Sequence, residues 1–306
     1  MNTAVQGRRW LGSLAVLMAA ALWGTTGTAA AFAPEVSAMA IGAAAMGGGG
    51  LLQALLAIRS MAKYWQGLRR NWLLLLIGAV AVAVYPLAFY GSMRLAGITV
   101  GTVVTIGSAP LLSALIEYVF DRQPLSLRWL AGALLGVAGM GLLAAAESHG
   151  AIGGEAVVGG ILLGLLAGLT YALYSWTARR LMLSGVAAKA AMGATFGGGA
   201  LLLLLVLLLT GAPLLSSGSN LAVGLYMALV PMFAGYLCFG YGLARIPASN
   251  AVTLTLFEPV VAAVLAVLVV GERLPAQGWL GIVLILMCLV CITWPVKAPK
   301  TEQVIS

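Results

Sequence analysis

Charge is scarce in this sequence. Only 8% of its 306 residues are Asp, Glu, Lys or Arg, against roughly 25% in a soluble domain, so a water-facing surface is almost missing. Histidine occurs once, at position 149, and cysteine three times, at 238, 288 and 291. Metal sites need several such ligands brought together, so no metal and no cofactor are expected. Cys288 and Cys291 form a CxxC inside an apolar run without an acidic or histidine neighbour, and are read as packing residues. No Walker sequence is present, which leaves an ion gradient or the solute gradient itself as any driving force. No base or second carboxylate accompanies a nucleophile at depth, so no catalytic residue is assigned and an enzyme is not expected. The net charge of +8 is spread between apolar runs, not gathered into a patch with interleaved aromatics, which excludes nucleic acid as a partner.

What is abundant is apolar. The sequence is 62% hydrophobic with a mean hydropathy of +1.07, and this material comes in runs of about 20 residues, the length that crosses a hydrocarbon core of roughly 30 Å. Ten runs stand out, near 10–32, 37–58, 72–93, 98–120, 126–146, 157–177, 187–209, 221–243, 249–270 and 276–294. The first follows Arg8 and Arg9, as in a signal peptide, but it exceeds the 7–15 residues usual for that apolar region and is read as a helix. The 40 glycines fit close approach of membrane helices. Three of them, at 160, 164 and 168, make a small-residue stripe for a helix contact within the chain or between subunits.

The lysines and arginines set an orientation. With the N-terminus cytoplasmic, 14 fall inside and only Arg94 and Arg273 outside, which accounts for the 16 present. An even number of spans then puts both termini in the cytoplasm of a multi-pass protein of the bacterial inner (plasma) membrane. The chain also repeats itself. A constant offset of 149 pairs Gly91 with Gly240, Val103 with Val252, Pro110 with Pro259, Ala114 with Ala263 and Gly132 with Gly281. Five helices per copy is an odd number, so the copies enter the membrane from opposite sides. The fold class is therefore an all-α polytopic membrane protein of ten transmembrane helices in two inverted five-helix repeats, residues 1–150 and 151–306. Inverted repeats are a recurring transporter architecture, with substrate sites near the midplane between the copies.

Pro110 and Pro259 lie near the centres of the fourth and ninth helices, where a proline removes a backbone hydrogen bond. Two breaks at equivalent depth point to a hinge or cavity, or else to plain packing kinks; Pro86 and Pro231 form a looser second hinge pair. Glu258 sits beside Pro259 near mid-membrane, where a carboxyl costs on the order of 3 kcal/mol. It serves proton coupling or recognition of a substrate amine, or it ties its helix to a neighbour by hydrogen bonding. Glu117 is explained by an interfacial position near Arg122. Trp10, Trp65, Trp72, Trp129, Trp279 and Trp294 sit at run ends or in a loop, as interfacial anchors do. Trp23, Tyr85, Tyr171, Tyr174, Tyr236 and Phe257 lie deeper, and with hydroxyls such as Thr105 and Ser108 they would line a wet cavity suited to a small amphipathic solute. Core packing is the alternative for each taken singly.

The stretch Leu256-Phe257-Glu258-Pro259-Val260-Val261-Ala262-Ala263, followed by Gly271-Glu272-Arg273-Leu274-Pro275 and Gly278-Trp279-Leu280-Gly281, resembles the second EamA repeat of the drug/metabolite transporter superfamily. Ala21-Leu22-Trp23-Gly24 is similar to that family's first-helix signature. Where the second repeat has Gly271 and Glu272, the first has Arg122 and Gln123, a departure that argues against a shared role for the acidic residue. Among members the chain looks most like YddG-type exporters of aromatic amino acids. The resemblance implies a central cavity lined by helices 1, 3, 4, 6, 8 and 9, opened alternately to each side. It also implies export of aromatic or neutral amino acids or related small metabolites. A multidrug or other metabolite carrier of the same superfamily is the alternative, and a structural or signalling membrane protein the alternative outside transport. The expected partners are a small-molecule substrate (amino acid or metabolite) and the lipid bilayer, and the reading is compatible with a monomer.

Overall fold

The computed structural model describes residues 3–147, 155–270 and 273–293. Readings that rest on His149, Gly271, Glu272, Trp294, Lys297 and Lys300 lie outside the described residues. The transmembrane helices are Thr3–Trp23 (α1), Ala38–Lys63 (α2), Trp72–Ala96 (α3), Ile98–Asp121 (α4), Leu127–Glu147 (α5), Glu155–Leu183 (α6), Ala188–Thr210 (α7), Gly218–Leu243 (α8), Ala248–Val269 (α9) and Ala276–Thr293 (α10). Among the described residues nine spans are long and apolar enough to cross a membrane outright. The 21 residues of α5 supply the tenth, at about 31 Å. No strand occurs among the described residues.

Helix ends follow local chemistry. Ser37 caps α2, its hydroxyl accepting the Ala40 amide at 3.1 Å, and Ser217 does the same for α8 through Asn220 at 3.1 Å. Both satisfy amides that no intrahelical carbonyl reaches. A single residue, Gly97, joins α3 to α4 with φ of 90°, a conformation that a side chain would strain.

The most extensive contacts pair α3 with α6, α2 with α7, and α5 with α10. The last two join repeat-related helices, as an inverted two-fold requires. Glycine permits these approaches. A Cβ at Gly281 would stand 2.6 Å from the Gly139 carbonyl, and one at Gly139 would stand 2.6 Å from that of Gly281. In α2 the glycine run at 47–50 packs closely, with Gly50 against the Phe196 carbonyl of α7. The stripe at 160, 164 and 168 is an internal contact, set against Ala96, Ser92 and Ser108 of α3 and α4. Trp10, Trp65, Trp72 and Trp279 are exposed, but Trp129 is buried in the core, because α10 covers that face of α5.

Gly281→Ala should lower the melting temperature in detergent, since forced overpacking costs about 1–3 kcal/mol. Gly141→Ala, where an added Cβ meets nothing within 4 Å, should leave it unchanged.

Candidate functional site

Two discontinuities build the site. The first is the end of α1 at Trp23, after which the chain turns and resumes as a short helix, Thr26–Ala30. Carbonyls freed there are taken up locally: Thr25 Oγ1 donates to Leu22 O at 2.6 Å and Thr26 Oγ1 to Trp23 O at 2.7 Å. Gly24 fits because a Cβ would fall 2.6 Å from Val261 Cβ and 2.8 Å from the Glu258 carbonyl, so α1 and α9 touch there. The second discontinuity is in α9, which divides into Ala248–Leu254 and Phe257–Leu265. Pro259 thus lies in the first turn of a half-helix, where a missing N–H costs little. Glu258 lies beside it at the half-helix N-terminus, where the helix dipole favours negative charge.

Between these breaks is a cavity of about 760 Å³, within the usual range for small-molecule sites. Trp23, Glu258 and Pro259 form its floor. Its walls come from the C-terminal ends of α3 (Phe89, Tyr90, Met93, Arg94) and α5 (Met140, Leu143), and from the N-terminal ends of α2 (Met39, Ile41) and α4 (Thr102, Ile106). It therefore opens on the face away from the start of α1. The Glu258 carboxyl makes no hydrogen bond or ion pair among the described residues; Arg94, in the last turn of α3, likewise has no acidic partner there.

Below the floor aromatic side chains fill the centre of the bundle. Trp23 packs on Tyr236 at 4.7 Å and on Phe239 at 5.4 Å between ring centroids, and its Nε1 donates to the Pro231 carbonyl at 2.8 Å. Tyr171 and Tyr174 pack behind it, tilted to one another with ring centroids 5.2 Å apart. The Tyr174 and Tyr236 hydroxyls share a 2.8 Å hydrogen bond, and Tyr171 donates to Thr255 Oγ1 at 2.8 Å. Closer to the termini, buried Glu117 of α4 caps α9. Its two carboxylate oxygens accept the Ala248 and Ser249 amides at 2.7 and 3.3 Å. Arg179 of α6 donates to the Leu243 carbonyl. Asp121 pairs with Arg180 at 3.2 Å and accepts Trp176 Nε1 at 2.9 Å.

Of the expected residues, Trp23, Glu258 and Pro259 line the cavity. Tyr85 is half-buried and stacked on cavity-lining Phe89 at 5.9 Å, and Phe257 is half-buried against the core. Tyr171, Tyr174 and Tyr236 are buried in the plug beneath. Thr105 is buried and Ser108 stands against Gly168 of α6, so neither lines the cavity. The two central prolines differ. Pro110 and Pro86 lie in continuous helices, while Pro231 sits in a wide-turn segment, Ala228–Ala234. The paired break expected at Pro110 and Pro259 is thus found in α9 alone. There Thr253 and Thr255 return hydroxyl hydrogen bonds to Ser249 O and Val252 O; α4 has Val104 and Ile106 at the matching places. Sequence reading missed Phe89, Tyr90 and Arg94, and it placed Glu117 at the interface near Arg122, whereas the structure buries it as a helix cap.

Removing the Glu117 cap should loosen the closure on the side of the termini. Loss of a cap costs about 0.5–2 kcal/mol. In a variant lacking the native cysteines, Glu117→Ala should therefore raise thiol labelling of Leu243→Cys, a buried position, by roughly tenfold. An unchanged labelling rate would show that Glu117 does not hold this end shut.

Comparison with known proteins agrees with the architecture. The model of the EamA-like transporter family matches twice, over residues 10–145 and 158–294. A Bacillus subtilis (strain 168) protein named an uncharacterized transporter, YwfM, is 36% identical over 95% of this chain and 96% of its own. A protein of Streptantibioticus cattleyicolor named a probable terminal-alkyne amino-acid exporter is 25% identical over 85% of this chain and 89% of its own. A solved crystal structure superposes with a TM-score of 0.77 at 21% identity, over 92% of this chain and 95% of that one, and so shares the fold. With both halves matched and a full-length relative above 30% identity, the chain is a membrane transporter that belongs to the EamA-like family of the drug/metabolite transporter superfamily.

Proposed function

We propose that this transporter exports amino acids, aromatic or neutral, or related small metabolites from the cytoplasm across the bacterial inner membrane. The two repeats, residues 1–150 and 151–306, rock against one another, and the cavity above Trp23 and Glu258 is the site in its outward-open state. Both termini are cytoplasmic in this reading, supported by the 14-to-2 distribution of basic residues.

The observation that carries it is Glu258: a carboxyl at mid-depth, at a half-helix N-terminus, lining the cavity without a hydrogen-bond or ion-pair partner among the described residues. A substrate ammonium or a proton would satisfy it. Arg94 at the mouth draws the substrate carboxylate, and Trp23, Phe89, Met93 and Met140 offer an apolar wall to the side chain. In the opposite state the plug of Tyr171, Tyr174 and Tyr236 parts, with Tyr85, Phe257, Thr105 and Ser108 joining the path and Pro86, Pro110, Pro231 and Pro259 taking up the bending. Further support is the amino-acid exporter named among the relatives. A multidrug or other metabolite carrier would use the same cavity without depending on Glu258.

Counterflow of an amino-acid panel in proteoliposomes, with and without a pH gradient, tests this. Transport of neutral and aromatic amino acids is expected, with gradient-driven accumulation lost at least tenfold in Glu258→Gln while exchange persists. Normal accumulation in that variant would remove Glu258 from coupling, and absence of counterflow for every amino acid would remove the substrate assignment.

A further inference from the structure

A second cleft, of about 350 Å³, lies on the side of the termini between α2, α7 and α8. We propose that it binds the headgroup of an anionic glycerophospholipid from the adjoining leaflet. The cleft opens sideways toward lipid, since its lining residues Leu56, Leu237 and Tyr241 are exposed on the outside of the bundle. At its rim stand Lys189 and Arg245. Neither has an acidic partner among the described residues; Arg245 lies over the Tyr241 ring and donates to that residue's own carbonyl at 2.7 Å.

The 23-residue helix α7 begins beside Lys189, and Ala187 before it provides no side-chain cap. Its first-turn amides are therefore open to an anion. Gln53 gives an independent indication. It lines the same cleft, is only 2% exposed, and neither its amide nitrogen nor its amide oxygen has a hydrogen-bond partner among the described residues. A buried polar group left this way is costly unless something fills the place. Gln53 packs at Gly193, one helical turn deeper than Lys189. Cations and amides at the rim, with a neutral amide one turn inward, follow the order of phosphate and ester groups in a glycerophospholipid. A juxtamembrane cation pair also favours anionic over zwitterionic lipid.

The test is thermal unfolding of the purified full chain in detergent, titrated separately with dioleoylphosphatidylglycerol, dioleoylphosphatidylcholine and inorganic phosphate. Phosphatidylglycerol alone should raise the melting temperature, in proportion to binding of the folded state. In the double variant Lys189→Gln/Arg245→Gln its apparent affinity should fall at least tenfold. An equal effect of phosphatidylcholine, a shift reproduced by phosphate alone, or undiminished affinity in the double variant would each overturn the proposal. Should that variant not fold, Lys189→Gln alone, at an exposed position, decides by the same criterion.

Discussion

Lipid cannot replace a missing backbone hydrogen bond, and a transmembrane helix can break only where protein groups take over. In this transporter that requirement is met by hydroxyls and one indole. Thr253 and Thr255 bond back to Ser249 O and Val252 O within the first half of α9. Tyr171 holds Thr255 from α6. Trp23 reaches from α1 to the Pro231 carbonyl in the wide turn of α8. The indole bond ties the first repeat to the second, and the hydroxyl bonds, all within the second, hold the break that places Glu258 at a helix start facing a cavity. The break, the floor and the carboxyl are one construction.

The repeats share a fold but differ where it matters for opening. Alanine occupies position 266, repeat-related to Glu117, so the carboxylate cap that ties α4 to α9 on the side of the termini has no counterpart in the second copy. The glycine stripe of α6 packs closely on α3 and α4. The end closed in this structure is the one that carries the Glu117 cap, a difference between the two halves of the sequence.

The ten spans, the repeat and the family were readable because lipid imposes length and apolarity on every helix. Which way each helix faces was far less so. A helix apolar all round has no polar stripe to mark its buried side, and Tyr171 and Tyr174 share a face whether that face is wet or packed. Tyr171 and Tyr174 belong to a plug because Trp23, Tyr236 and Phe239 meet them from two other helices. Arg94 looked like an orientation signal only, since nothing local reveals that the last turn of α3 borders a cavity. Glu117 finds its partner 131 residues away, at a helix start that no window of neighbouring sequence brings near it.

Glu258 gives the cavity its chemical direction. A carboxyl at mid-membrane is costly, on the order of 3 kcal/mol, and the half-helix dipole offsets typically 0.3–1 kcal/mol of such a charge. No described side chain supplies the rest, although other polar groups nearby are tied down: Thr255 is held by Tyr171, Tyr236 by Tyr174, and Trp23 by Pro231. A carboxyl kept unpartnered in this way is better suited to something that comes and goes than to holding helices together. A proton and a substrate ammonium both answer that description, and each would relieve the cost while bound and restore it on leaving. In the proposed cycle this difference gives the floor reason to respond to occupancy, because Glu258 shares its half-helix with Pro259 and its contact surface with Gly24 of the opposite repeat.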